Sequence, residues 1–254
     1  MAAPSERRAL ITGGAGGVGA AVARGLARTG YHVVITDLDP DACAALAAEI
    51  AQDGGSAEGA ALNVTDRAAV DALFSEQDAK GSIDTLVTSA AIVKPAPILD
   101  FDPDDWARIL DVNLTGTFHC CQAAGRRMVQ AGFGRIITIS SVNGQIANSY
   151  RGAYSCTKGG VDMLTRLLAA ELGASGVTAN AVAPTPVDTP MILQVHGAQD
   201  RKRWTDQIPA ARYAQPEEVA AAVAFLASEE AAYVNGHILN LDGGFMASGI
   251  LLDR

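Results

Sequence analysis

The chain has 254 residues, 49% of them hydrophobic, and a formal net charge of −9 at pH 7. That length suits one large α/β domain, and the lack of a basic stripe argues against nucleic acid as a partner. No apolar run approaches the ~20 residues of a membrane span, and MAAPSERRAL reaches charge too early for a secretory signal; a cytoplasmic protein with no membrane partner is expected.

Short apolar runs alternate with helical patterns from end to end. The runs are ALIT (9–12), HVVIT (32–36), AEGAAL (57–62), IDTLVT (83–88), RIITIS (135–140), VTANAVA (177–183) and HILNL (237–241). Between them lie GVGAAVARGLARTG, PDACAALAAEIAQDG, DRAAVDALFSEQDAKG, a long segment over 103–131, and YSCTKGGVDMLTRLLAAEL. Continuous Val/Ile/Leu runs flanked by helices mean strands covered on both faces. Right-handed crossovers then predict a single doubly wound, Rossmann-type α/β domain over 1–254, with a seven-stranded parallel sheet and helices on both faces.

Two stretches break the rhythm, 142–151 and 184–216, and both follow strand C-terminal ends, the edge where such sheets bind ligands. Residues 185–215 are expected to form a lid on the substrate side; a plain surface excursion is the other reading. Cys43, Cys120, Cys121 and Cys156 make no Cys-x-x-Cys pair and read as reduced, small apolar residues, with Cys120 and Cys121 on different sides of a helix. The histidines lack metal-ligand spacing, so no metal is expected, and His32, His119 and His237 read as structural.

The turn Thr12-Gly13-Gly14-Ala15-Gly16-Gly17-Val18-Gly19 joins the first strand to the first helix. Glycines let backbone approach a pyrophosphate, and the helix N-terminus offers unpaired N–H groups and a positive dipole end. The spacing of Gly13, Gly17 and Gly19 is G-x-x-x-G-x-G. Asp37, at the end of the second strand, stands where a carboxylate binds both ribose hydroxyls and repels a 2′-phosphate. No Lys or Arg follows closely, so NAD is expected over NADP. Asp39 rather than Asp37 suits the cap of the helix at Pro40.

Tyr154 and Lys158 stand one helical turn apart and share a face. A lysine ammonium beside a phenol favours the phenolate and makes it a usable proton acceptor and donor. Ser141 ends the strand-like run GRIITISS upstream of them.

Taken together, TGGAGGVG, Asp37, DVNLTGTF, ISS, YSCTK and NAVAP followed by VDTPM resemble the short-chain dehydrogenase/reductase family over essentially the whole chain. The resemblance implies a catalytic tetrad of Asn113, Ser141, Tyr154 and Lys158. Tyr154 exchanges a proton with the substrate hydroxyl, Ser141 holds its oxygen, Lys158 tunes Tyr154 and holds the nicotinamide ribose, and Asn113 supports a water. It also implies cofactor contacts from Gly13, Gly17, Val18, Gly19, Asp37, Asn63, Val64, Ser89, Ala90, Tyr154, Lys158, Pro184, Val187 and Thr189. The chain departs from the family pattern at Ser89 and Ala91, at Asn63 in place of an aspartate, and at Thr185 in place of a glycine.

The substrate wall is expected from Lys94, Asn143, Gln145, Asn148, Thr185 and residues of the 190–212 segment, a polar set. The two C-terminal stretches are also similar to gluconate 5-dehydrogenase-like members. A small polar alcohol, polyol, sugar or sugar acid is the leading reading, oxidised or reduced at a secondary carbon. A reductase of ketoacyl thioesters or bulky ketones and a non-catalytic dinucleotide-binding protein are the alternatives. Lys94 reads as either a partner for a substrate carboxylate or a solvated loop lysine. The family further implies a homotetramer built on the helices over 104–131 and 152–173, with the C-terminal segment 244–254 docking at another interface.

Overall fold

The computed structural model describes residues 7–249. The stretch 1–6 and residues 250–254 of the C-terminal docking segment lie outside the described residues. In the first half, β1 (Arg8–Thr12), α1 (Gly17–Arg28), β2 (His32–Asp37), α2 (Pro40–Gln52), β3 (Ser56–Ala61), α3 (Arg67–Lys80) and β4 (Thr85–Thr88) alternate. The second half holds α4 (Pro103–Leu110), a π turn (Asp111–Thr115), α5 (Gly116–Ala131), β5 (Gly134–Ile139), α6 (Gly152–Leu172), β6 (Val177–Pro184), α7 (Pro190–Val195), α8 (Ala198–Gln207), α9 (Pro216–Ala227) and β7 (Ile238–Leu241).

All seven strands pair in parallel, as the alternation predicts, and they stand in the order β3-β2-β1-β4-β5-β6-β7. The order reverses between β1 and β4, and a crevice opens at their C-terminal ends. The strand period of two divides the core. Ala9, Ile11, Val33 and Ile35 pack with residues of α1, α2 and α9 on one face. Leu10, Val34, Leu86 and Ile136 pack with α3, α5 and α6 on the other. Each fully buried Val, Leu or Ile contributes about 1.5–3 kcal/mol. β3 departs from the buried pattern because it is the edge. Its Glu58 faces out and pairs with Arg8 at 3.2 Å and Lys80 at 2.8 Å.

Asp39 caps α2, accepting from the amides of Asp41 at 3.0 Å and Ala42 at 3.1 Å. The segment expected as one helix over 104–131 runs from α4 through the π turn into α5. Cys120 and Cys121 both enter the same core cluster rather than opposite sides. Successive residues point about 100° apart, and α5 is covered by the sheet and by both neighbouring helices, so both thiols fit. Burial pushes Cys120 up to about 12. Cys156 is exposed. The sheet leaves part of the second face uncovered: Phe118, Met163 and Leu167 on α5 and α6 are exposed.

Candidate active site

One half of the crevice is made of backbone. β1 ends at Thr12 and turns through Gly13 and Gly17, both left-handed at φ 63° and 51°. A Cβ on Gly13 would come within 2.6 Å of Ala90 Cα, and one on Gly19 would strike the Gly13 carbonyl. Ser89 N donates to Thr12 O at 3.1 Å, which ties the end of β4 to the turn. α1 begins at Gly16 without a side-chain cap and without an acidic residue in its first turn. Its first N–H groups and its dipole therefore remain for an anion in the crevice.

Asp37 Oδ1 accepts from Leu38 N at 2.8 Å and Oδ2 from Ala15 N at 3.3 Å. These bonds set the carboxylate beside the glycine turn. Asn63 Oδ1, expected to read the adenine edge, accepts from Thr65 N at 3.1 Å and Thr65 Oγ1 at 2.9 Å. That carbonyl is spent on its own turn, and only the amide N–H₂ is left to face a ligand. Val64 O meets His119 Nδ1 at 3.1 Å. Thr189 caps α7 and would touch a Cβ on Gly17 at 3.4 Å, which places it against the turn. Pro184 and Val187 line the wall between.

The other half is made of side chains. Ser141, Tyr154 and Lys158 line the same cleft, of about 770 Å³, as Gly13, Asp37 and Thr189. Ser141 stands in the turn after β5 and accepts from Asn143 N at 3.2 Å. Lys158 Nζ donates to Ile139 O at 2.7 Å and lies 5.5 Å from the Tyr154 ring centroid. Burial pulls Lys158 down to about 8, against the charge of Asp162 one turn on. Tyr154 is pushed up by burial, while a hydrogen bond with Ser141 and the charge of Arg151 act to lower it. With a pKa of about 8, Lys158 is still mostly protonated at neutral pH and stands 5.5 Å from the phenol ring centroid. Both carboxylate oxygens of Asp162 are buried without a hydrogen-bond partner. The Ser140 hydroxyl, which helps hold the raised Asp162 pKa down, is directed at Lys158 O at 3.4 Å.

Asn113 is fully buried on the π turn and does not reach the cleft wall. Its Oδ1 accepts from Ile92 N at 2.8 Å, and its Nδ2 donates to Ile92 O at 2.9 Å and Thr157 Oγ1 at 3.3 Å. The side chain is fully occupied in clamping the loop after β4 to α6.

Of the residues expected on the substrate wall, Asn143 and Thr185 line the cleft. Lys94, Gln145 and Asn148 do not. Lys94 is exposed and ion-paired with Asp105, which takes the place of a substrate carboxylate. Gln145 Nε2 donates to Asn240 Oδ1 at 2.6 Å, and Asn148 is bonded to Asn143. The 190–212 segment lines the cleft as expected, through His196 and Trp204 among others, and Arg151, which carries no motif, joins them. Arg151 was signalled only by its place before the helix of Tyr154, and His196 only by its place in the polar stretch after β6.

The residues 184–216 fold over this half as α7 and α8. Arg201 holds Asp188 with two bonds of 2.6 and 2.7 Å and stacks on Tyr213 at 4.4 Å. Its charge keeps the Asp188 carboxyl below the usual range.

An uncapped helix end, a turn with no room for a side chain at Gly13 or Gly19 and a carboxylate at the end of the next strand suit a dinucleotide's pyrophosphate and ribose. The family model described as enoyl-(acyl carrier protein) reductase matches residues 13–246. The D-threitol dehydrogenase of Mycolicibacterium smegmatis is 41% identical over 241 residues, 93% of this chain and 92% of that protein. A 3-oxoacyl-[acyl-carrier-protein] reductase of a Synechocystis species is 39% identical over 97% of this chain and 99% of its own. The structure of a gluconate 5-dehydrogenase from Burkholderia cenocepacia, in complex with NADP and tartrate, superposes with a TM-score of 0.92 at 38% identity, covering 96% of each chain. With the crevice, the glycine turn and the Ser141, Tyr154 and Lys158 groups, these similarities make the chain a member of the short-chain dehydrogenase/reductase family, an oxidoreductase that interconverts alcohol and ketone with a nicotinamide dinucleotide.

Proposed function

We propose that the protein is an NAD(H)-dependent dehydrogenase of a small polar secondary alcohol, a polyol, sugar or sugar acid, with Tyr154 as its acid and base. The observation that carries this reading is the meeting of Ser141, Tyr154 and Lys158 with the glycine turn on one cleft. When bound, the nicotinamide accepts hydride from the carbinol carbon or returns it. Tyr154 Oη takes the hydroxyl proton in oxidation and gives it back in reduction. Ser141 Oγ has one proton to donate: before substrate arrives its bond with Tyr154 favours the phenolate, and with substrate bound that proton goes to the substrate oxygen. Lys158, held on Ile139 O, serves the ribose beside the nicotinamide. Asn113 is a positioning residue. Its side chain fixes the loop after β4, while its carbonyl, which accepts from Thr117 Oγ1 at 2.8 Å, keeps a second lone pair for a water that passes the proton on.

Asp37 supports NAD, because residues 38–43 carry no cation to receive a 2′-phosphate. Residues 185–215 act as the lid of a single domain, rooted at Thr189 beside the glycine turn. The exposed Phe118, Met163 and Leu167 support a homotetramer joined through α5 and α6, and the unpaired cysteines suit a cytoplasmic setting. Similarity to the 3-oxoacyl-[acyl-carrier-protein] reductase supports a second reading, reduction of a ketoacyl thioester. Following nicotinamide absorbance with NAD and NADP across polyols, sugar acids and ketoacyl thioesters tests the choice. Turnover of polyols or sugar acids with NAD is expected. Turnover of thioesters alone, or of nothing despite cofactor binding, would overturn it.

A further inference from the structure

We propose that the substrate is an anion, a small hydroxy acid whose carboxylate is held by Arg151, with His196 as the buttress that aims the guanidinium. This rests on the reading of the cleft as an alcohol dehydrogenase site and narrows its substrate.

Arg151 stands immediately before α6, beside Tyr154, and lines the cleft. Its backbone is fixed by pairing with Ala96. The residue before it, Tyr150, is held at φ 65°, a left-handed conformation that bulky side chains rarely adopt. Arg151 Nη2 donates to His196 Nε2 at 3.1 Å, and His196 Nδ1 meets Tyr213 Oη at 2.9 Å. Because the guanidinium can only donate, Nε2 is the acceptor and the proton sits on Nδ1, donated to Tyr213. Burial and the charge of Arg151 keep His196 below its ordinary pKa and therefore neutral. Tyr213 is fully buried and stacked under Arg201. The chain Tyr213–His196–Arg151 is thus anchored in the core at one end and ends in a positive charge at the cleft.

That charge has no counterpart. Arg24, Arg67, Arg127, Arg201 and Arg212 each hold a carboxylate, whereas the two arginines that line the cleft, Arg108 and Arg151, form no ion pair among the described residues; Arg108 is exposed, and of the two Arg151 is the one aimed by a hydrogen-bonded buttress. His196 takes one of its five N–H donors, and the fork that remains matches a carboxylate. The wall includes Asn143, Arg151, Thr185, His196 and Trp204, and the acids that line the cleft, Asp37 beside the glycine turn and Asp111 at the start of the π turn, form no ion pair with Arg151. A neutral polyol would leave the guanidinium unpaired in a partly desolvated site. In a chain of net charge −9, an anionic substrate also needs such a local cation to enter.

The test compares a hydroxy acid with the neutral polyol of the same carbon skeleton, galactonate with galactitol, at fixed cofactor. The wild type is expected to favour the acid in kcat/KM by about tenfold or more. Arg151→Gln is expected to lower the acid's kcat/KM about a hundredfold further than the polyol's, the scale of losing a buried charge partner. Arg151→Lys should restore part of that preference. A wild type that favours the polyol overturns the proposal without any variant. Equal losses for both substrates in Arg151→Gln also overturn it and make Arg151 a latch for the lid. If the wild type oxidises neither these substrates nor any other alcohol, the reading of the cleft as a dehydrogenase site fails first, and this proposal fails with it.

Discussion

The two halves of the cleft are built from different materials. The cofactor half is backbone: a glycine turn closed to a Cβ at Gly13 and Gly19, an uncapped helix end and one carboxylate, Asp37, bonded to the amides beside it. The substrate half is side chain: Ser141, Arg151, Tyr154, Lys158 and His196, brought from the turn after β5, the start of α6 and the end of α7. Backbone sites bind what every family member shares, and they tolerate little change. Side-chain sites decide the chemistry and the substrate, and single substitutions act there one function at a time.

The sharpest break between the halves is Tyr154→Phe. The ring stays and the hydroxyl goes, so the backbone-built half is untouched. Turnover should fall by at least about a hundredfold, the lower scale of acid–base catalysis, while cofactor affinity measured by fluorescence titration stays near the wild-type value. Near-native turnover would remove Tyr154 from its role. Tyr150→Phe serves as the comparison, because Tyr150 is exposed and should change turnover little.

The same contrast explains what could be read from the residues alone. TGGAGGVG is contiguous, and its strand, turn and helix context follows from local periodicity. Tyr154 and Lys158 are one turn apart, so a helix is enough to bring them together. The seven strands and their parallel pairing followed from alternation and handedness. The pair Arg151 and His196 is separated by 45 positions, and nothing local joins them; only the folding of the lid does. Asn113 was legible as a residue but not as a clamp. The π turn that carries it leaves the helical pattern of 103–131 intact, because a wider turn has no residue type of its own. Lys94 stayed open between a substrate cation and a solvated loop lysine, since its partner, Asp105, lies across a loop whose path no spacing rule gives.

Within the cofactor half, Asp37 is the one side chain expected to decide an outcome. Its carboxylate would face a 2′-phosphate with no cation in residues 38–43. Unpaired like charges in a partly desolvated pocket cost on the order of a few kcal/mol, roughly a hundredfold in affinity. Asp37→Ser should weaken NAD and relieve NADP, narrowing the ratio of kcat/KM values from both sides by about tenfold or more. A wild type that prefers NADP, as the cofactor of the Burkholderia structure makes worth measuring, would show that Asp37 does not read the ribose.

Lys158 links the halves and titrates in an accessible range. Burial draws it from the ordinary 10.5 to about 8. Between those values the unfolded chain binds more protons than the folded one, so Lys158 makes the fold more stable as pH rises through the window, by at most on the order of 1 kcal/mol per unit. Below about 8 the cost of the buried charge is fully present. Lys158→Met should therefore flatten the rise of melting temperature between about pH 8 and 10.5, read as the difference from wild type. Asp162→Asn removes the charge that holds Lys158 up and should extend the rise to lower pH. Curves that run parallel for all three proteins would mean that Lys158 keeps an ordinary pKa.

The smallest effect is expected at Lys94, and its smallness is what separates the two candidate cations. Lys94 is exposed, lies off the cleft wall and already holds Asp105. An exposed pair of this kind contributes little to stability and is screened by salt. Lys94→Ala should change kcat/KM for a hydroxy acid by less than about twofold, with the same change for the matching polyol. The measurement is the pair of kcat/KM values at low and at moderate salt. A loss above tenfold confined to the acid would transfer the carboxylate from Arg151 to Lys94. It would also mean that the Lys94–Asp105 pair opens when substrate arrives, with the loop after β4 rather than the start of α6 reading the charge.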